Sequence, residues 1–97
     1  MYYVKVRFVW DENKDIENQK KHGVSFSEAQ YAFEDKNRII AEDLKHSTKT
    51  EKRYFCFGMI ENGILTVRFT VRKLVIRIFG AGFQRERKQK YEEENNL

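Results

Sequence analysis

The chain of 97 residues contains no proline, one cysteine, one tryptophan and only five glycines. Without proline, Gly/Ser-rich stretches or internal repeats, nothing marks a linker or a domain boundary, and residues 1–97 read as one domain with a single modest core. Cys56 has no partner for an internal disulfide. With two histidines at no recognisable ligand spacing it makes a poor zinc set, so neither a structural metal nor a cofactor is expected. No apolar run approaches the ~20 residues needed to cross a bilayer. The N-terminus lacks the charged start, apolar middle and small-residue cleavage site of a secretion signal, so a cytoplasmic protein is expected. A strong charge of one sign is also missing: 19 Lys and Arg against 15 Asp and Glu leave +4. That sum says little about a polyanionic partner, and placement must decide.

What is present is organised. "YYVKVRFVW" alternates Val4, Val6, Phe8 and Trp10 with Lys5 and Arg7, the period of a half-buried strand over residues 2 to 10. Asp11 then stands where a helix needs its N-cap. Lys20, Lys21 and His22 precede Gly23, the residue suited to a left-handed stop. Ile16 is almost the only apolar residue between these caps, so this helix is expected on the surface. In "SFSE", Ser25 and Glu28 have the spacing of a capping box. Phe26, Ala29, Ala32 and Phe33 follow at helical period, predicting a second helix that ends near Asp35. "NRIIAED" reads as a short strand, and "LKHSTKT" as a polar loop.

Then come "EKRYFCFGMI", Asn62-Gly63 and "ILTVRFTV". Asn-Gly between two β-rich runs predicts a hairpin, because a type I′ turn needs positive φ at both central positions. A tip at Asn62-Gly63 pairs 59 with 66, 57 with 68, 55 with 70 and 53 with 72. A second turn at Lys73-Leu74 pairs 72 with 75, 70 with 77 and 68 with 79. Paired residues share a face. Tyr54, Cys56, Gly58, Ile60, Leu65, Val67, Phe69, Val71, Leu74, Ile76 and Ile78 form an uncharged face, predicted to be the core. Arg53, Phe55, Phe57, Met59, Thr66, Arg68, Thr70, Arg72, Val75, Arg77 and Phe79 form the other. A charged helix from 84 to 95 closes the chain, cationic first (Arg85, Arg87, Lys88, Lys90) and acidic last, an order opposed to the helix dipole. The residues therefore predict an α+β domain with a four- to five-stranded, mostly antiparallel sheet, two N-terminal helices and a C-terminal helix.

An arginine face interleaved with rings suits single-stranded nucleic acid, guanidinium forks meeting phosphates and rings meeting unstacked bases. Solvated sheet faces also carry Arg and Thr, but three phenylalanines among them imply a ligand or a partner. Arg68, Phe55, Phe57, Phe79, Arg85 and Lys88 are the candidates for holding RNA. Cutting RNA without a metal needs a base for the 2′-hydroxyl, a cation for the phosphorane charge and an acid for the leaving 5′-oxygen. Arg53, Arg72 and Arg77, clustered by the pairing above, are candidate cations. His46 and Glu51, in and just after the polar loop, are the candidates for proton transfer. Taken alone, His46 also fits a solvent-exposed loop histidine, and His22 fits helix capping better than catalysis. Tyr91 is a candidate acid or a pin for the last helix, and Trp10 a core or staple residue.

"FVWDENKDIENQKKHGVSFSEAQYAFED", followed by Asp43, His46-Ser47, Glu51, Arg53, Thr70, Arg72 and Arg77, resembles the BrnT family of bacterial type II toxins. The resemblance spans most of the chain. It implies a RelE-like ribonuclease fold, RNA cleavage that halts translation, and a BrnA-type antitoxin with a ribbon-helix-helix DNA-binding part, DNA being reached only through the complex. Where many members read Ser-Ala-Arg after the last strand, this chain has Gly80, Ala81 and Gly82, losing a hydroxyl and a guanidinium beside the expected site. Two other readings remain: a non-catalytic module whose Arg/Phe face docks an acidic or amphipathic partner segment, and an RNA-binding protein that does not cut.

Overall fold

The computed structural model describes residues 6–61 and 63–83. The expected first residues of the opening strand, Asn62, and the expected C-terminal helix with Arg85, Lys88 and Tyr91 lie outside them. Strand β1 (Arg7–Trp10) leads through helix α1 (Glu12–His22) to α2 (Phe26–Ala29), which continues as a 3-10 helix (Gln30–Glu34). Strands β2 (Ile39–Glu42), β3 (Arg53–Ile60), β4 (Gly63–Arg72) and β5 (Val75–Phe83) follow. They form one mixed sheet in the order β1-β5-β4-β3-β2. β1 lies parallel to β5, and the other three pairings are antiparallel.

The helix boundaries sit where the side chains demand them. Asp11 accepts the Lys14 N–H at 3.1 Å and caps α1. Gly23, at φ 69°, ends it in the left-handed region open to glycine, its N–H donating to the Gln19 carbonyl. Ser25 and Glu28 make the reciprocal capping box. The second helix tightens to 3-10 geometry after one turn, so Ala32 and Phe33 reach the sheet from a narrower coil than the helical period predicts.

Both hairpins form, but the first is set two residues from its expected register. Ile60 faces Gly63, Phe57 faces Thr66 and Arg53 faces Thr70, while Glu61 takes φ 48°. The reversal thus begins one residue ahead of Asn-Gly. The consequence is a correction: Arg53 and Arg72 are not cross-strand partners. The second turn lies at Lys73-Leu74 as expected, with Lys73 at φ 57° and Arg72 facing Val75. The β4/β5 register then shifts between Arg68 and Phe69, so that Phe69 faces Ile78 while Arg68 faces Gly80, not Phe79. Gly80, Ala81 and Gly82 are part of β5, not a segment after the last strand.

A slip of two residues preserves which side each residue occupies, and the core follows the predicted face. Cys56, Leu65, Val67, Phe69 and Ile78 are buried with Val24, Phe26, Ala29 and Ala32 of the helical layer. Phe8–Phe33, Phe33–Phe69 and Tyr54–Phe69 ring contacts at 5.2, 4.9 and 5.5 Å run across it, and Trp10 meets Phe26 edge-on at 6.3 Å. Gly58 is required by close approach: a Cβ there would overlap the Ala32 carbonyl oxygen. Two residues depart from the prediction. Val71 and Leu74 are 46% and 57% exposed, because they flank the β4/β5 turn, beyond the helical cover.

Helix α1 lies on the surface, as its composition predicts, and two buried polar side chains tie it to the body. Ile16 is exposed, and the buried residues are Asp15 and Asn18. Asp15 Oδ1 accepts the Phe26 N–H at 2.8 Å, Asn18 Nδ2 donates to the Val24 carbonyl at 2.9 Å, and Asn18 Oδ1 accepts the Ala81 N–H at 3.1 Å. β1 ends opposite Ile78. Asn18 then satisfies the β5 edge where a longer β1 would have done so. The helix is seated by hydrogen bonds, which leaves its neighbouring face free for charge.

Candidate functional site

The second face of the sheet divides into three zones. At the β2/β3 side, Phe57 and Ile64 are buried with Ile39, Ala41 and Phe55 packed on them. Phe57 is 1% exposed, which corrects its expected place as an open stacking platform. Phe55 stacks on it at 5.8 Å and remains half-buried.

The middle zone joins arginines to Phe79. The guanidinium carbon of Arg53 lies 4.7 Å from the centre of that ring and that of Arg68 lies 5.7 Å away, both within cation–π range. The register shift makes this possible: β5 carries an extra residue there, so Phe79 and Gly80 both serve the stretch opposite Arg68. A Cβ at Gly80 would stand 3.1 Å from Arg68 Nε, so the missing side chain gives the guanidinium room against the strand. Next to Arg53, Thr70 faces Arg77, forming the row Arg53–Thr70–Arg77 across three strands. Arg72 lies nearer the Lys73-Leu74 turn and outside that row.

The polar loop ends beside Arg53. Ser47 Oγ accepts the Arg53 N–H at 2.8 Å and donates to its carbonyl at 3.2 Å, and Glu51 Oε1 accepts from Arg53 Nε at 2.9 Å. Asp43 organises the loop: its carboxylate takes the His46 backbone N–H at 3.2 Å and contacts His46 Nδ1 at 2.8 Å. Burial by itself would raise the Asp43 pKa, but the hydrogen bonds and charge of His46 outweigh it and hold the carboxyl below its ordinary value. An ionised carboxylate only accepts, so the Nδ1 that faces it is the donor, and in that tautomer of a neutral imidazole Nε2 is the acceptor. His46 is therefore an oriented side chain, which loop placement alone did not reveal.

The third zone is a cavity of about 490 Å³ between α1 and the sheet. Lys14, Glu17, Asn18, Lys21 and His22 form its helical wall; Phe55, Thr66, Arg68, Phe79, Gly80, Ala81 and Gly82 form the rest. Lys14, Lys21 and Arg68 have no carboxylate partner among the described residues. The structure thus brings the expected Arg68, Phe55 and Phe79 together with α1. It keeps His46, Glu51 and Arg53 at the adjoining loop. Lys20, Lys21 and Gly23 explain the helix end without His22; the sequence signal for His22 as a cavity-wall residue is the spacing of Lys14, Asn18, Lys21 and His22, one polar helical face.

On one sheet face of this small α+β protein, Lys14, Lys21 and Arg68, without a carboxylate partner among the described residues, stand beside the rings of Phe55 and Phe79. Residues 10–88 match the family model described as ribonuclease toxin, BrnT, of type II toxin–antitoxin system, and the chain belongs to that family. No curated protein matches the chain. The family is one of ribonuclease toxins, and its type II description implies an antitoxin protein as partner. No helix among the described residues is long and apolar enough to cross a membrane.

Proposed function

We propose that the chain is a cytoplasmic endoribonuclease toxin of RelE-like fold that inhibits translation by cutting RNA without a metal, and that a BrnA-type ribbon-helix-helix antitoxin holds it in check. The observation that carries this reading is the convergence of Arg53 and Arg68 on Phe79, beside the ordered His46 loop. A flat cation on a ring offers both a phosphate fork and a stacking surface to an unpaired strand.

The chemistry assigned to these side chains is an attack by the RNA itself. A base takes the proton of a 2′-hydroxyl, the 2′-oxygen bonds to phosphorus, and the 5′-oxygen leaves with a proton from an acid. His46, its Nδ1 engaged by Asp43, presents Nε2 for the first transfer, and Glu51 is the second candidate. Arg53 keeps its terminal nitrogens beyond the Glu51 bond at Nε, and with Arg77 stabilises the phosphorane charge; Arg72, outside the row, is assigned to the approaching strand. The products are a 2′,3′-cyclic phosphate and a 5′-hydroxyl. Expressing the chain alone in a bacterium should arrest growth with fragmented RNA carrying those ends, and co-expression of the antitoxin should restore growth. Intact RNA on induction contradicts the proposal and favours a binding module.

A further inference from the structure

The cavity beside α1 contains a feature that the fold does not explain. Thr66 stands in its wall at 4% exposure, and its hydroxyl oxygen is buried with no hydrogen-bond partner. A buried, unpaired hydroxyl costs stability, and valine, of nearly the same shape, would fill this position without that cost. Among the described residues of its wall, Lys14, Lys21 and Arg68 stand against the carboxylate of Glu17, the His22 ring faces Gly82 where an added Cβ would just touch it, and the Phe79 ring closes the side toward Arg53.

We propose that this cavity binds one nucleotide of a single-stranded RNA, next to the phosphate that is cut. This rests on the ribonuclease reading of the same face. The nucleotide's phosphate lies between Arg68, Lys21 and His22, where Lys21 and Arg68 have no carboxylate partner among the described residues. Its base lies along Phe79, beside the Arg68 guanidinium that fills the space over Gly80 and the His22 ring that faces Gly82. The Thr66 hydroxyl bonds a base or ribose heteroatom and gains in the complex the partner it lacks in the free protein. The volume suits the unit: pockets of ~300–1,000 Å³ hold ligands of this size.

The test uses the full chain and a 2′-O-methyl RNA hexamer of mixed sequence, which lacks the attacking hydroxyl and cannot be cut. Thr66→Val keeps the shape and removes the hydroxyl. It should leave the melting temperature unchanged or raised, while weakening hexamer binding about fivefold or more, the worth of one hydrogen bond. Thr66→Ser should bind as the parent does. In NMR titrations of the parent, the backbone amides of Thr66, Gly80 and Gly82 should shift with the hexamer. Unchanged affinity in Thr66→Val, shifts that bypass these amides, or no binding by the parent would each overturn the assignment. Cleavage of unmodified RNA is scored separately. A parent that binds the hexamer here yet cuts nothing would refute the nuclease reading and leave the cavity assignment standing. A parent that cuts while Thr66→Val binds normally would do the reverse.

Discussion

The two faces of this sheet are made from the same strands, residue by alternate residue, and they meet different fates. One is closed by rings and methyl groups with hardly a polar atom; the other buries Phe57 and Ile64, then stops at Arg53, Arg68 and Arg77. The layers that approach them differ in the same way. The α2 segment presents Phe26, Ala29 and Ala32 to the first face, whereas α1 is anchored by Asp15 and Asn18 and lines the cavity with Lys14, Lys21 and His22. The main apolar core thus lies on one side of the sheet, and the arginines and the cavity lie on the other. A helix held by hydrogen bonds keeps a charged wall in place without needing an apolar stripe.

Mutations should separate the faces. Phe26→Ala, at 0% exposure, should destabilise the fold by about 3–5 kcal/mol in chemical denaturation, through lost burial and the cavity left behind. Asn18→Ala should cost less, about 2 kcal/mol, because it orphans the Val24 carbonyl and the Ala81 N–H. A cost near zero would mean that α1 is not seated by this residue. Arg68→Ala should change stability by no more than about 0.5 kcal/mol. It should still weaken RNA binding and lessen the slope of log affinity against log salt by about 0.7, one phosphate contact. An arginine variant that unfolds the protein would erase the distinction between the faces.

The smallest effect concerns pH. The Asp43 pKa is lowered in the folded protein from its ordinary 3.8, so its contribution to stability is present above that value and lost as pH falls through the lowered one. Asp43→Asn should therefore differ from the parent in melting temperature at neutral pH and converge with it in strong acid. Equal separation at all pH values would show that the carboxylate charge is not what orders the His46 loop.

Much of this division was legible from residue order. The caps at Asp11, Gly23 and Ser25 depend on local backbone bonds, so short-range rules located them. The two faces survived a misplaced turn because a slip of two keeps side-chain parity. The partnership of Arg53 with Arg72 did not survive, since cross-strand pairing depends on the register itself. The β4/β5 register shift has no local signature: it answers the packing of Phe69 and Ile78 below and Arg68 above, and it is what puts Phe79 between two arginines. Asn18 was illegible for a related reason. Its partners lie 6 and 63 positions away, and one of them exists only because β1 stops short. His22 was visible but already explained, as the cationic end of a helix.

That the arginine face cuts RNA is tested most directly by single-turnover cleavage of a single-stranded RNA at saturating protein, comparing the parent with folded Arg53→Ala and Arg77→Ala. The parent should leave 2′,3′-cyclic phosphate ends, and each variant should be slower by about a hundredfold or more, the loss expected when a donor to developing transition-state charge is removed. Cleavage by both variants at the parental rate, or no cleavage by the parent, would contradict it.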